Sequence, residues 1–368
     1  MNKPIPILFT IPNFITAGSG NAMLNIVRSL DRKKYFPAVC VLKKGGYLDK
    51  EVDKLGIPFL EIPFSILARP YSTLIFRAWK IAQIFKPYKF KIWHSFHYLD
   101  DYTEPLIAKL AGAQNWIYTK KNMNWGTRAW KIRSFLAAGI AVQNSAMLDL
   151  FFKGVKKNVE VIPPGVDIVR YFPVNQKKEL KEKLGLAPSD ILVGHSAHFV
   201  PVKNHPHLVR AVAGCQNKNT HFVFAGRMGD DQYSAEIRKL VKDLNLEKRV
   251  HFLGEVQNMP EFLNSLDIFA FCSHREACPV AVLEAMACGL PCVVTDIPGI
   301  RDMHIQRKTC IAVPPKDLEG FSAALDELAG SESLRNMMGK EAILRIKEKF
   351  SIRIEIDQYT QFYERLLR

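Results

Sequence analysis

The chain has 368 residues, 48% of them apolar and 24% charged. That is more than one hydrophobic core usually organises, so two domains are expected. No stretch approaches the ~18 consecutive apolar residues of a membrane-spanning helix, which argues against an integral membrane protein. Lys and Arg exceed Asp and Glu by 15, and the excess is uneven: residues 1–170 hold 25 basic against 11 acidic residues, residues 171–368 hold 26 against 25. The first half is therefore expected to meet something anionic, or else to carry a merely soluble basic surface.

The chain opens on an apolar run that Pro12 and Asn13 break, with no small-residue cleavage site behind it. It reads as a first β-strand, so a cytoplasmic location is expected. Further β-like runs follow at 37–42, 57–62, 89–94, 115–119, 140–143 and 159–163, with helix-period segments between several of them. The alternation restarts at 191–196 and continues at 220–226, 249–254, 267–272, 291–296 and 310–314. Strands that are apolar throughout and alternate with helices imply parallel sheets covered on both faces. The Pro-rich segment 163–175 suits a linker between two doubly wound units. A last helix is expected from Ser351 to Arg368, with Ile352, Ile356, Tyr359, Tyr363 and Leu366 on one face. Seven cysteines, an odd number without CxxC pairs, suggest buried thiols in place of a disulfide framework or a zinc site.

One helix between strands, 72–87, has Leu74, Ala78, Ile81, Ala82 and Phe85 along one stripe, while Phe76, Arg77, Trp79 and Lys80 lie off it. This is either a packed helix with a basic outer face or a membrane-surface helix.

Three segments could carry chemistry. In residues 274–299 a strand end leads through Glu276 to Pro279, then to a helix that stops at Gly289. The first amides of that helix, around Ala277, Cys278, Pro279 and Val280, would suit a diphosphate. Glu276 could otherwise cap the helix, and Glu284 could be a solvated face residue. However, Glu284 stands on a helix that is apolar nearly all round, so it needs a partner. In the second segment, 195–212, Lys203 precedes a helix at a strand's carboxyl end, where a cation would meet phosphate, and His198 could add a donor. In the third, 16–23, Gly18 and Gly20 form a loop after the first strand that would let a ligand approach the backbone. It lacks the full GxGxxG spacing of a dinucleotide site.

Together the Gly-rich first loop, VIPPGVD at 161–167, the Lys203 loop, FLGEVQNMPEFLNSLDIF at 252–269 and Glu276-x7-Glu284 followed by AMACGLP closely resemble the family-four retaining glycosyltransferases of the GT-B fold. The resemblance implies two doubly wound, Rossmann-like domains facing across a cleft, residues 1–168 and 169–350, with the 351–368 helix crossing back onto the first. It also implies a nucleotide-sugar donor, UDP- or GDP-linked, bound mainly by the second domain, and a glycan or lipid-linked acceptor bound mainly by the first. Glu284 would hold the ribose hydroxyls, Glu276 the transferred sugar, Lys203 the diphosphate, and Val256 with Asn258 the base. Gly18 would pack against the donor. No metal and no cofactor are implied, and the acidic pairs Asp100–Asp101 and Asp230–Asp231 are expected to be solvated.

Departures from the family pattern sharpen the expectation. His198 stands where Arg is usual, and a histidine carries charge only part of the time. Lys120 and Lys121 follow the fifth strand where a His is common, leaving His94 and His97 as further acceptor-side candidates. A retaining transferase in envelope polysaccharide synthesis, peripheral on the anionic inner face of the membrane, is the expected function. A catalytically inactive relative is the alternative. Nucleic acid is not an expected partner, since no binding motif accompanies the charge.

Overall fold

The computed structural model describes residues 3–15, 17–97, 101–124, 127–155, 157–174, 177–229 and 231–368. Thr16, Asp100, Asn175 and Asp230 of the segments above lie outside these. The chain divides into two compact units, Met1–Pro164 with Ile352–Arg368, and Gly165–Ser351.

The first unit runs β1 (Ile5–Ile11), α1 (Ala17–Ser29), β2 (Tyr35–Val41), α2 (Asp49–Asp53), β3 (Phe59–Glu61), α3 (Leu74–Phe85), β4 (Ile92–Ser95), α4 (Thr103–Leu110), β5 (Asn115–Lys120), α5 (Arg128–Leu136), β6 (Gly139–Val142), α6 (Ala146–Phe151) and β7 (Asn158–Val161). The second runs α7 (Lys177–Lys183), β8 (Ile191–Ser196), α8 (His205–Gly214), β9 (Thr220–Ala225), α9 (Gln232–Asp243), β10 (Val250–Gly254), α10 (Met259–Asn264), β11 (Ile268–Phe271), α11 (Val280–Ala287), β12 (Cys292–Thr295), α12 (Pro298–Arg301), β13 (Cys310–Val313), α13 (Leu318–Gly330) and α14 (Glu332–Lys349). α15 (Ile352–Leu367) belongs to the first unit.

All thirteen strands fall on the apolar runs of the sequence, and every pairing is parallel. The central strands β4, β5, β6, β11 and β12 are buried along their whole length, which is why β6, β11 and β12 read as apolar runs with no in-out alternation, while β4 and β5 also bury polar side chains. Strand order is β3-β2-β1-β4-β5-β6-β7 in one sheet and β10-β9-β8-β11-β12-β13 in the other. The order reverses between β1 and β4, and again between β8 and β11. In doubly wound sheets ligands bind outside the carboxyl ends of strands at such switch points.

α15 buries Ile356, Tyr359, Phe362 and Tyr363 against the first sheet. Gly139 makes this possible, since a Cβ there would lie 2.6 Å from Phe362 Cζ. One expectation is corrected. The Gly-rich segment is not a loop: α1 begins at Ala17, so Gly18 and Gly20 are helical. Gly20 is instead a packing residue, because a Cβ there would meet Leu48 and Phe14 at 2.8 and 2.9 Å. At Gly18 nothing lies within 4 Å of a Cβ.

Candidate active site

In the second unit the segments that follow β8 and β11, the two strands of the switch point, meet: the His274 amide donates to the Val202 carbonyl oxygen at 2.8 Å, and a side-chain pair joins them. Lys203 closes a 3-10 turn, Pro201–Lys203, and its Nζ donates to Glu276 Oε1 at 2.6 Å. Ser273 Oγ donates to the same oxygen at 2.9 Å. Glu276 therefore does not cap α11; it is held by a cation and a hydroxyl, both of which a sugar or phosphate could displace. The backbone of this loop is fixed from behind by Gly299, where a Cβ would stand 2.3 Å from the Glu276 carbonyl oxygen. Ala277, Cys278 and Pro279 are buried, and α11 begins at Val280 with no side-chain cap on its first amides. Its end is sharp, with Gly289 at φ +77°.

Glu284 does have the partner its apolar helix demands. Tyr171, in the segment expected to be a linker, packs into the core of this unit, and its hydroxyl interacts with the Glu284 carboxylate. Burial pushes the Glu284 carboxyl up to about 7, against the opposite pull of Tyr171 and Arg170. The Tyr171 hydroxyl is raised as well, first by burial and then by Glu284. Such a carboxylate, short of hydrogen-bond donors, suits a vicinal diol that offers two.

Val256 and Asn258 line one concavity of about 130 Å³ with Leu253, Glu261 and Phe262. Asn258 also caps α10 and donates to Glu261 Oε2 at 2.7 Å. His198 is exposed beyond the end of β8. His195 is a core residue whose Nδ1 meets the Ala270 carbonyl oxygen at 2.9 Å, and burial lowers it to about 4.

In the first unit the four acceptor-side candidates separate. His94 is fully buried, with Nδ1 on Tyr363 Oη at 2.7 Å and Nε2 on Thr119 Oγ1 at 2.8 Å. Both its ring nitrogens are occupied, so it ties α15 to the sheet and cannot contact a sugar. Lys120 turns inward to Asn122 and Asn124, with its ammonium against the Trp130 and Phe151 rings. It too is withdrawn from any acceptor. His97 and Lys121, by contrast, line one concavity of about 180 Å³ with Ser19, Phe96, Thr119, Asn122 and Trp130. Lys121 Nζ donates to the Ser19 carbonyl oxygen at 3.3 Å and lies 4.0 Å from the Phe96 ring centre. Burial lowers its amine to about 7, with Glu355 pulling the other way.

Behind His97 is a buried network that the sequence did not announce. Glu104 of α4 accepts hydrogen bonds from Thr10, Trp93, Ser95 and Arg133, and His97 Nδ1 lies 3.5 Å from its Oε2. Burial alone would raise this carboxyl, but His97, Arg133 and Thr10 outweigh it and hold Glu104 at about 2. His97, Asp101 and Glu104 each bring a ligand atom within 4.8 Å of the others. However, Arg133 and three neutral donors already fill the Glu104 oxygens, and Asp101 caps α4 through Thr103 and Glu104. That donor set fits an ion pair and not a divalent cation. Neither described member of the acidic pairs is merely solvated: Asp101 caps α4, and Asp231 caps α9 through the Ser234 amide at 2.8 Å.

Two doubly wound parallel sheets, the second with a lysine, a carboxylate and a helix start at its switch point, make up the GT-B fold. The glycosyl transferases group 1 model matches residues 176–345 and the glycosyltransferase family 4 model matches residues 16–170; the chain belongs to this family. It is 29% identical over 212 residues to N-acetyl-alpha-D-glucosaminyl L-malate synthase of Bacillus anthracis, covering 58% of this chain and 55% of that one. It is 30% identical over 213 residues to an Escherichia coli UDP-Gal:alpha-D-GlcNAc-diphosphoundecaprenol alpha-1,3-galactosyltransferase, covering 56% and 54%. The matched segment thus spans about half the length of these curated relatives. Among solved structures, a Rickettsia africae glycosyltransferase superposes with TM-score 0.86 at 18% identity over 100% of both chains. Anabaena HepE, in complex with UDP and glucose, gives 0.82 at 18% identity over 98% of this chain and 99% of that one.

Proposed function

We propose that the chain is a retaining, metal-independent glycosyltransferase that moves a sugar from a UDP- or GDP-sugar to a glycan or lipid-linked acceptor in cell-envelope polysaccharide synthesis. The observation that carries this reading is the convergence of Lys203, Glu276 and the α11 amides at the β8/β11 switch point, with the half-buried Glu284 on the same helix. Departure of a nucleoside diphosphate leaves negative charge on phosphate, and a fixed ammonium with helix amides stabilises that charge. Glu276, released from Lys203, turns to hydroxyls of the transferred sugar, and Glu284 takes the ribose diol. Val256 and Asn258 meet the base, and His198 adds a donor to phosphate. In the first unit His97 and Lys121 meet the acceptor. The Escherichia coli relative is named as a galactosyltransferase with a diphosphoundecaprenol-linked acceptor, and this supports the acceptor class.

The deciding experiment is calorimetric titration with UDP, GDP, ADP and CMP. One nucleotide should bind selectively, and Glu284→Ala should abolish binding. Ribose hydroxyls donate to the ionised carboxylate, so below about pH 7 binding must first expel a proton. Affinity should therefore rise with pH, by up to about tenfold per unit below pH 7, and the slope should vanish in Glu284→Gln. No nucleotide binding by the folded protein would shift the reading to a catalytically inactive relative.

We also place the protein peripherally on an anionic membrane surface. α3 serves two faces at once: Ala78, Ala82 and Phe85 are buried, whereas Ile75, Phe76, Trp79 and Lys80 are exposed. Phe76 and Trp79 stack with ring centres 6.3 Å apart, and the Lys80 ammonium lies 4.6 Å from the Phe76 ring. No helix among the described residues is long and apolar enough to cross a membrane. Co-sedimentation with phosphatidylglycerol vesicles at low salt should weaken as salt rises. Each of Phe76→Ser and Trp79→Ser should cost about ten- to a hundredfold, from ~1.5–3 kcal/mol of lost burial. Failure of the unaltered protein to sediment would end this assignment.

A further inference from the structure

Between α5 and α6, on the first unit, lies a concavity of about 350 Å³ lined by Lys131, Ser134, Phe135, Phe151, Phe152, Val155 and Lys157. The only hydroxyl in its wall is spent, since Ser134 Oγ donates to the Trp130 carbonyl oxygen at 2.7 Å and bonds the Tyr118 hydroxyl. The walls are therefore apolar and the rim is basic. Phe135 is 74% exposed and Val155 42%, with Ile132, Leu136 and Leu150 exposed beside them. Lys157 Nζ bonds the Ala137 carbonyl oxygen at 3.2 Å and lies 5.4 Å from the Phe135 ring. Neither Lys131 nor Lys153 makes an ion pair among the described residues.

The patch is not isolated. Of 24 large hydrophobic side chains exposed among the described residues, 12 fall between Leu67 and Val155, on α3, α5, α6 and the segments beside them. α3 packs on α4 and α4 on α5, and α5 and α6 residues wall one slot, so these helices are successive neighbours. A soluble monomer rarely gathers its apolar surface in this way without a partner.

We propose that the slot between α5 and α6 binds the hydrocarbon tail of the lipid-linked acceptor, with its phosphate held by Lys131 and Lys157. The proposal rests on the reading of the chain as a transferase with such an acceptor. Shape separates this occupant from bulk bilayer. α3 presents an outward aromatic face that suits a membrane surface, whereas the slot is concave, and its volume of about 350 Å³ suits one short stretch of chain. Charge supplies the rest: apolar walls with ammonium groups at the rim complement a chain that ends in phosphate. A membrane engaged by α3 would bring such lipids to the helices that carry the slot.

The test is calorimetric titration of the full chain with farnesyl phosphate below its micelle concentration, and with octyl, decyl and dodecyl phosphate. Affinity should rise about fourfold per added methylene until the slot is filled. Phe135→Asp, at an exposed position that folding does not depend on, should weaken binding at least tenfold. Lys131→Glu should weaken farnesyl phosphate but leave farnesol unchanged. Trp79→Ser on α3 should leave both unchanged, and unfolding curves of each variant should overlay. Loss in Trp79→Ser with retention in Phe135→Asp would place the lipid on α3 and overturn the proposal. So would farnesol binding as tightly as farnesyl phosphate, or no binding at all. Nucleotide titration is independent of this readout: a chain that bound the lipid phosphate but no nucleotide would sink the transferase reading alone.

Discussion

Lys203→Ala is expected to lower kcat for sugar transfer by about 10²–10³, the range seen when one preorganised donor to a developing negative charge is removed. Lys203 Nζ sits 2.6 Å from Glu276, so before donor binds its charge is already compensated. On the proposed mechanism the full value of the cation would appear only when the diphosphate leaves and charge grows beside it. The loss should therefore fall on kcat and kcat/KM together, with the donor KM moving much less. Glu276→Gln should also slow transfer, because the pair partner keeps its shape but no longer offers a charged acceptor to sugar hydroxyls. Lys203→Arg should rescue only part of the rate, since a planar guanidinium cannot occupy a point-charge position without displacing its neighbours. Unchanged turnover in Lys203→Ala would remove the switch point of the second unit from the chemistry.

Glu104→Gln should destabilise the first unit by about 3–5 kcal/mol, the cost of leaving one charge of a buried pair uncompensated. Both side chains of the Glu104–Arg133 pair are fully buried, and Gln can satisfy neither the charge of Arg133 nor all four donors at once. Glu104→Gln combined with Arg133→Met should recover part of the loss, which a denaturant titration followed by far-UV circular dichroism would read. The pH dependence follows from the same residue. Its folded carboxyl is depressed to about 2 from 4.5, so its contribution is complete above the unfolded value and is lost as pH falls from about 4.5 towards 2. That loss is about 3 kcal/mol over the window. An acid transition identical in Glu104→Gln would show that the network contributes nothing.

How far these sites could be read beforehand depended on distance along the chain. The strands were legible because burial on both faces turns strands such as β6, β11 and β12 into apolar runs, and α15 because its inward stripe keeps the helical period. The need of Glu284 for a partner was legible from its apolar helix, but Tyr171 was not, since its own neighbours read as a turn-rich linker. The Lys203–Glu276 contact joins loops 73 positions apart, and nothing local marks either residue as the other's partner. His94 misled for a related reason: a histidine at a strand's carboxyl end looks like a ligand until Tyr363, far along the chain, is seen to occupy it. The glycines at 18 and 20 suggested a loop because glycine is a poor helix former; tertiary contact with Phe14 and Leu48 decided otherwise at Gly20. α3 admitted two readings: the buried Ala78, Ala82 and Phe85 bear out the packed helix, and the membrane-surface reading of its outer face stays a proposal.

α15 sets an order of assembly. The sheet of the first unit is laid down by residues 5–161, yet Phe9, Ile117 and Ala141 share their hydrophobic cluster with Ile356, Tyr359 and Tyr363. Those partners are synthesised only after the whole of the second unit. During translation the earlier-made sheet must wait, with α1 and α2 covering only part of that face, while the later-made unit already has every element of its own core. The first unit is thus the last to mature, and a ribosome paused between Gly165 and Ser351 would present an aggregation-prone apolar face to the cell.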